Sequence, residues 1–313
     1  MYNEEIKKRF LKEYKNAKIG GIRTAFENFS KYEKLHNLDL AELDRKGAVE
    51  AIESIKPEET RTVSGFITAL RNYTEFCEDN KLFSNIPRGF FAITIDDIDL
   101  SKSLASVLFK DESELIDSIR LVHGFESGFV DVPVLALTWL GLSKDEIIAL
   151  RDNDVNLEDR IITGGDGSIL AMGFSDQIAE VLFLYRKCQI SERGKDYTSM
   201  VVRKDNSVNS FLKKMLPENS KKFGKEFTKV QIDAHVNSLA TKYEQLGHPR
   251  RHSISNVWRS GRLRQLYIIE QQNGIDVTAK ENKELLRDVF RNKKNYYDAI
   301  RMYKWYKKAF CLE

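Results

Sequence analysis

Apolar residues return every three or four positions along most of this chain, and that spacing confines it to packed helices. Ile22, Ala25, Phe26 and Phe29 fall on one side of a helix, as do Val63, Phe66, Ile67, Leu70, Tyr73 and Phe76. The same period returns at Ile178, Val181, Leu182 and Tyr185, at Val230, Val236, Leu239 and Tyr243, and at Tyr297, Ile300, Tyr303 and Phe310. With 5 prolines in 313 residues, little interrupts those helices. The spacing predicts a mainly α fold of the α+β kind, with one small antiparallel sheet. The terminal stretch reads as a helix whose Tyr297, Ile300, Tyr303 and Phe310 face inward.

A chain of this length exceeds one hydrophobic core, so two domains are expected. Residues 1–105 read as a helical bundle that ends in a linker, because Ser84 to Ser103 breaks the period with Pro87, Gly89 and the run Asp96-Asp97-Ile98-Asp99. Residues 106–313 form the second domain. No stretch reaches the 18 or so uncharged apolar residues of a membrane span, and Met1-Tyr2-Asn3-Glu4-Glu5 lacks a leader's apolar core. A cytoplasmic protein without membrane contact is expected. Cys77, Cys188 and Cys311 are too scattered for a disulfide framework or a zinc site, so they read as reduced, structural thiols, and no metal or cofactor is expected.

Within the second domain, Asp111 to Leu121 reads as a capped helix, and Val132 to Leu140 carries no charge and must be buried. Ser143-Lys144-Asp145-Glu146 opens another helix that ends near Arg151. Arg160 to Thr163 and Ser168 to Met172 flank Gly164-Gly165-Asp166-Gly167, a hairpin signal. Those glycines precede a strand rather than a helix, so they are a turn and not a phosphate cradle. Phosphate-loop, Rossmann, metalloprotease and serine-elbow signatures are all missing.

Charge is distributed unevenly. Residues 1–105 carry 17 Lys+Arg against 18 Asp+Glu, residues 106–200 carry 9 against 17, and residues 201–313 carry 24 against 12. A basic third of this kind suits a polyanionic partner. Its densest part is His248-Pro249-Arg250-Arg251-His252-Ser253, continuing to Arg259, Arg262 and Arg264. On a helix from about Ser253, Arg259 and Arg262 share a face, and the loop arginines precede its N-terminus, where guanidinium forks and free amides both hold oxyanions. Pairing of these arginines with Glu244 or Glu270 is the structural alternative.

Ala136-Leu137-Thr138-Trp139-Leu140-Gly141-Leu142-Ser143-Lys144-Asp145-Glu146-Ile147-Ile148-Ala149-Leu150, with Asp154-Val155, resembles the first conserved box of the tyrosine recombinases, the phage integrase family. The hairpin, the helices after it, and His248-x-x-Arg251-His252-Ser253 followed by Gly261 are similar to that family's order and second box. The resemblance implies a SAM-like helical core-binding domain followed by a recombinase-type catalytic domain. It also implies a clamp on double-stranded DNA. Arg250, Arg251, His252, Arg259, Arg262 and Arg264 would face one side of the duplex, and Lys15, Lys18, Arg23 and Arg71 the other.

The catalytic set departs from the family's pattern. Ser143 stands where active members have an arginine, and Lys144 beside it lacks the guanidinium fork. No Lys or Arg lies between Arg160 and Arg186, where the family's leaving-group acid belongs. His248 and Arg251 match the second box by spacing, although an alignment through Asn256 and Arg259 would lose the histidine. The window after Gly261 lacks the family's later histidine and its nucleophilic tyrosine, and the next tyrosines are Tyr296 and Tyr297. Ser143, His248, Arg251 and Tyr297 therefore stand as vestigial positions.

The pattern is most similar to the recombinase-fold master repressors of SPβ-type Bacillus prophages. It implies a sequence-specific DNA-binding regulator of lysogeny that does not cut, acting in a bacterial cytoplasm or nucleoid. That role leaves room for an oligomer on DNA and for a regulatory protein or peptide partner. The alternatives are a working integrase that uses Arg251 or Arg259, Lys144 and Tyr297, and a helical interaction protein with no nucleic-acid role.

Overall fold

The computed structural model describes residues 1–14, 19–123, 129–193, 200–217, 220, 224–291 and 294–312. The protein is mostly helical with small antiparallel sheets, and it divides into two compact units: Met1–Leu104 together with Ile300–Glu313, and Ala105–Ala299. Among the described residues, no helix is long and apolar enough to cross a membrane.

The first unit contains α1 (Glu4–Glu13), α2 (Ile19–His36), α3 (Arg45–Ser54) and α4 (Thr60–Asp79). The periodic residues of α2 and α4 build its core: Ile22, Ala25, Phe26, Phe29, Val63, Ile67, Leu70 and Tyr73 are all buried. Phe10 of α1 sits among Phe26, Tyr73 and Phe76, with ring centroids 5.4 to 5.9 Å apart. The core also encloses charge. Lys7, Glu33 and Asp39 are fully buried, and the Lys7 ammonium donates to Glu33 while Tyr73 Oη donates to Asp39 Oδ2 at 3.2 Å.

The expected linker is packed onto this unit instead. Gly89 N–H donates to the Leu43 carbonyl at 3.1 Å, and Phe90, Ile93, Ile98 and Leu100 are buried. Its acidic run is neutralised in place, with Asp96 paired to Arg301 at 2.6 Å, Asp97 to Arg45 at 2.5 Å and Asp99 to Lys308 at 2.8 Å. Pro and Gly mark a break in helical period but do not say whether apolar neighbours are buried.

The second unit follows α5 (Ser101–Val107), which straddles the division between the units. It holds α6 (Glu112–His123), α7 (Asp131–Trp139), α8 (Lys144–Ala149), α9 (Asp176–Lys187), α10 (Lys229–Gln245), α11 (Ile254–Asn273) and α12 (Lys283–Val289). Every residue of α7 is buried, as its lack of charge in Val132–Leu140 demands, and α8, α9, α10 and α11 pack against it. Each large aliphatic side chain there contributes roughly 1.5–3 kcal/mol of burial.

β1 (Val155–Asn156), β2 (Ile161–Thr163) and β3 (Ile169–Met172) form one antiparallel sheet, with Val155 opposite Ile162 and Ile161 opposite Met172. The β2–β3 turn is the expected hairpin, closed by Gly164 N–H on the Ser168 carbonyl at 2.7 Å. A second sheet was not expected: β4 (Ile190–Arg193), β5 (Met200–Lys204) and β6 (Met215–Pro217), also antiparallel.

The last helix, α13 (Tyr296–Ala309), begins in the second unit and continues into the first from Ile300. Its buried stripe is Ala299, Met302, Tyr303 and Tyr306, while Tyr297 is 66% exposed. The inward face is therefore rotated by about one residue from the expected one: Tyr303 is shared, while Tyr297 faces out and Ala299, Met302 and Tyr306 face in.

Candidate nucleic-acid interface

α11 opens where the sequence predicts. Ser253 is its N-cap, accepting the Asn256 N–H at 3.0 Å, and the basic segment 248–252 leads into it. The side chains of this region divide by burial.

Arg251, His252, Arg259 and Arg262 turn inward, against the expectation that they meet a duplex. Arg251 pairs with Glu114 at 2.5 Å, donates to the Leu108 carbonyl and to that of Ala105 at 3.3 Å, and lies 4.7 Å over the Phe109 ring. Arg259 donates to Asn256 Oδ1 at 2.5 Å, and Arg262 donates to the Trp139 carbonyl at 3.1 Å. Burial, with Arg291 nearby, pulls the Arg262 guanidinium down to about 10, which still leaves it charged at neutral pH. A cation on a helix face reads the same in sequence whether the face meets solvent or another helix. Here Arg262 meets α7 through the Trp139 carbonyl, and Arg259 is buried beside Asn256.

His252 is 1% exposed, and its Nε2 lies 2.7 Å from Ser118 Oγ. Ser118 gives its one hydroxyl proton to the Leu115 carbonyl at 2.6 Å, so His252 Nε2 carries the hydrogen and Nδ1 remains a buried acceptor without a partner among the described residues. Burial, then the neighbouring Arg251 charge, push this imidazole down to about 4. Tyr243 links it to the surface: its ring meets His252 edge-on at 4.6 Å and stacks on His248 at 4.6 Å.

The outward group is smaller. His248 and Arg250 are exposed, Arg250 resting loosely near Asn237 Oδ1 at 3.4 Å and Glu244 at 3.9 Å. Arg264 is half-buried, with its guanidinium 5.1 Å over Tyr267. In the first unit Arg23 is exposed on α2, whereas Arg71 is tied to the carbonyls of Phe90 at 2.9 Å and Ile93 at 2.8 Å. Lys15 and Lys18 lie outside the described residues.

At the vestigial positions, Ser143 is occupied as the N-cap of α8 in a capping box. Its Oγ accepts the Glu146 N–H at 3.3 Å, and Glu146 returns to the Ser143 N–H at 2.6 Å. Burial works against the Glu146 charge, but the Ser143 bonds and Arg291 at 2.7 Å hold its carboxyl below the ordinary value. Lys144 pairs with Asp233 at 2.8 Å. Arg251 lies buried beside Glu114, and His248 is exposed on Tyr243. Tyr297 lines a basin of about 510 Å³ with Lys280, Lys283, Arg287, Lys294, Asn295 and Tyr296, none of them a vestigial position named above. The sequence signal for that cluster is the recurrence of Lys280, Lys283 and Arg287 at helical spacing, which charge totals over a third of the chain do not resolve.

Residues 1–79 match the family model described as MrpR, N-terminal core-binding domain. No curated protein matches the chain at the significance required. Among solved structures, XerA recombinase is similar at 14% identity and TM-score 0.40, over 99% of this chain and 98% of that one. The Tn1549 transposon integrase in complex with a circular intermediate DNA is similar at 14% identity and TM-score 0.38, over 96% of this chain and 94% of that one. At such identity and TM-score these likenesses set neither family nor function.

Proposed function

We infer that this protein binds double-stranded DNA through a recombinase-type clamp without cleaving it, and that it acts as a transcriptional repressor of phage or prophage genes. The observation that carries the non-cutting half is the commitment of Arg251. Its guanidinium is spent on Glu114 and on the Ala105 and Leu108 carbonyls, so it is not free to hold a scissile phosphate. The capping role of Ser143 and the neutral, buried His252 point the same way.

Support for the binding half comes from the match of residues 1–79 to a core-binding domain and from the concentration of positive charge after residue 200. With Arg259 and Arg262 of α11 turned inward, the phosphate contacts fall to Arg250, Arg264 and His248 in the second unit and to Arg23 in the first. A duplex would gain them by counterion release, and base-edge contacts would add the discrimination between sequences. Oligomerisation on DNA and release by a regulatory protein or peptide are further parts of this proposal.

The test is incubation of the purified chain with duplex fragments from its genomic neighbourhood and with a suicide substrate. A retarded complex with no covalent protein–DNA adduct is expected. An adduct that disappears in Tyr297→Phe would overturn the non-cutting reading, and no retarded complex with any fragment would overturn the binding reading.

A further inference from the structure

We propose that the basin between α12 and the start of α13 binds the phosphate groups of a nucleotide, with the exposed ring of Tyr297 as a stacking platform for its base. Lys280, Lys283 and Arg287 follow one another at i, i+3 and i+7, so they stand in one stripe, and Lys294 closes the basin with Asn295, Tyr296 and Tyr297. The volume of about 510 Å³ is that of a small-ligand site.

Three features favour phosphate. Like charges at i, i+4, here Lys283 and Arg287, weaken a helix, and α12 has only 7 residues over which to recover that cost. Only Arg287 has a carboxylate partner, Glu284 at 2.8 Å, whereas Lys280, Lys283 and Lys294 make no ion pair among the described residues. Among the described residues no Asp or Glu lines the basin, so its charged lining is entirely cationic. A single carboxylate ligand would leave most of this charge unanswered, while a di- or triphosphate would satisfy it.

The aromatic side fits a base. Tyr297 is 66% exposed, and its ring meets that of Tyr296 nearly edge-on at 5.3 Å, which leaves a face open. Tyr296 is anchored by its hydroxyl, which donates to the Thr278 carbonyl at 3.3 Å. Asn295 Oδ1 accepts the Tyr297 N–H at 2.9 Å and fixes the backbone where α13 begins. Base-on-aromatic stacking is sequence-tolerant and adds to phosphate attraction.

A phosphate with a base beside it comes either from a free nucleotide or from a nucleic-acid strand. The site does not depend on the duplex clamp proposed above, so failure of that clamp leaves it standing. The experiment is calorimetric titration of the full chain with pyrophosphate, with ATP and with a short duplex, for the parent protein and for K280A/K294A, Tyr297→Ala and Tyr297→Phe.

K280A/K294A is expected to weaken pyrophosphate and ATP binding about 10-fold, as befits two exposed charge-assisted contacts. Tyr297→Ala is expected to weaken ATP several-fold and leave pyrophosphate unchanged, while Tyr297→Phe keeps the ring and the ATP affinity. Duplex affinity that falls with K280A/K294A assigns the phosphate to a strand, and duplex affinity that holds while ATP is lost assigns it to a free nucleotide. Anion binding indifferent to K280A/K294A, or no measurable binding of pyrophosphate, ATP or duplex, would overturn the site.

Discussion

A Cβ placed on Gly261 would lie 2.0 Å from the carbonyl oxygen of Trp139. That distance fixes how closely α11 approaches α7, and the approach brings Arg262 onto the same carbonyl. Gly141 completes the contact. It has φ of +95°, and a Cβ there would fall 2.3 Å from the Arg262 guanidinium carbon. Gly261 is thus a packing requirement of the α7–α11 contact.

Gly261→Ala is therefore expected to destabilise the second unit. Alanine gains roughly 1 kcal/mol of helix propensity, but overpacking against backbone costs up to ~3 kcal/mol or more, so the net loss is about 2 kcal/mol. Urea unfolding of the full chain would show it as a lower midpoint, and an unchanged or higher midpoint would count against the α7–α11 contact.

Arg251 is expected to matter for folding rather than for contact with DNA. Removing one partner of a buried pair leaves the other uncompensated, but Glu114 is 36% exposed, so Arg251→Ala should cost about 2 kcal/mol rather than the full ~3–5 kcal/mol of a deeply buried pair. The check is unfolding free energy beside DNA affinity measured well below the unfolding temperature. A large affinity loss with no loss of stability would place Arg251 on the duplex after all.

Arg250→Ala should behave in the opposite way. Its side chain is about half exposed and holds only long contacts, so stability should stay within ~0.5 kcal/mol. Duplex affinity should drop several-fold and the salt slope should shrink by about 1, the signature of one lost phosphate contact. Identical binding curves for variant and parent would remove Arg250 from the interface.

The two units should respond oppositely to mild acid. The His252 imidazole is held at about 4, below its ordinary 6.5, so the unfolded chain takes up protons first. Its stabilising effect is complete above pH 6.5 and lost as pH falls toward 4. Glu33 in the first unit is raised to about 7 from 4.5, chiefly by burial and against the opposing pull of Lys7. Its effect is complete below pH 4.5 and lost as pH rises through 7. Calorimetric melts at pH 5 and pH 7 should show the second-unit transition falling and the first-unit transition rising on acidification. Glu33→Gln should flatten the first and His252→Gln the second. Parallel shifts of both transitions in the parent protein would contradict the two assignments.

Much of the fold was legible because local rules and packing agree. The stripe Ile22-Ala25-Phe26-Phe29, the Ser143–Glu146 capping box, the glycine turn at 164–167 and the uncharged α7 each point to one structure at every level. The missed elements are those in which distant partners decide. β4 to β6 are short strands whose pairing depends on a sheet, and the packed stretch after Ser84 depends on α3 and α4 for its burial. Within the candidate site, the start of α11 at Ser253 was readable, but the direction of its arginines was not. Charge alone does not say whether a guanidinium will meet phosphate, or Glu114 and a row of carbonyls.

The central claim, that this chain grips duplex DNA through its phosphates, is tested most directly by fluorescence anisotropy of a labelled genomic fragment titrated across a series of salt concentrations. A log–log slope of affinity against salt of about −3 to −4 is expected, corresponding to roughly four neutralised phosphates at ~0.9 each. A slope near zero, or binding that never rises above that of an unrelated acidic polymer, would contradict it.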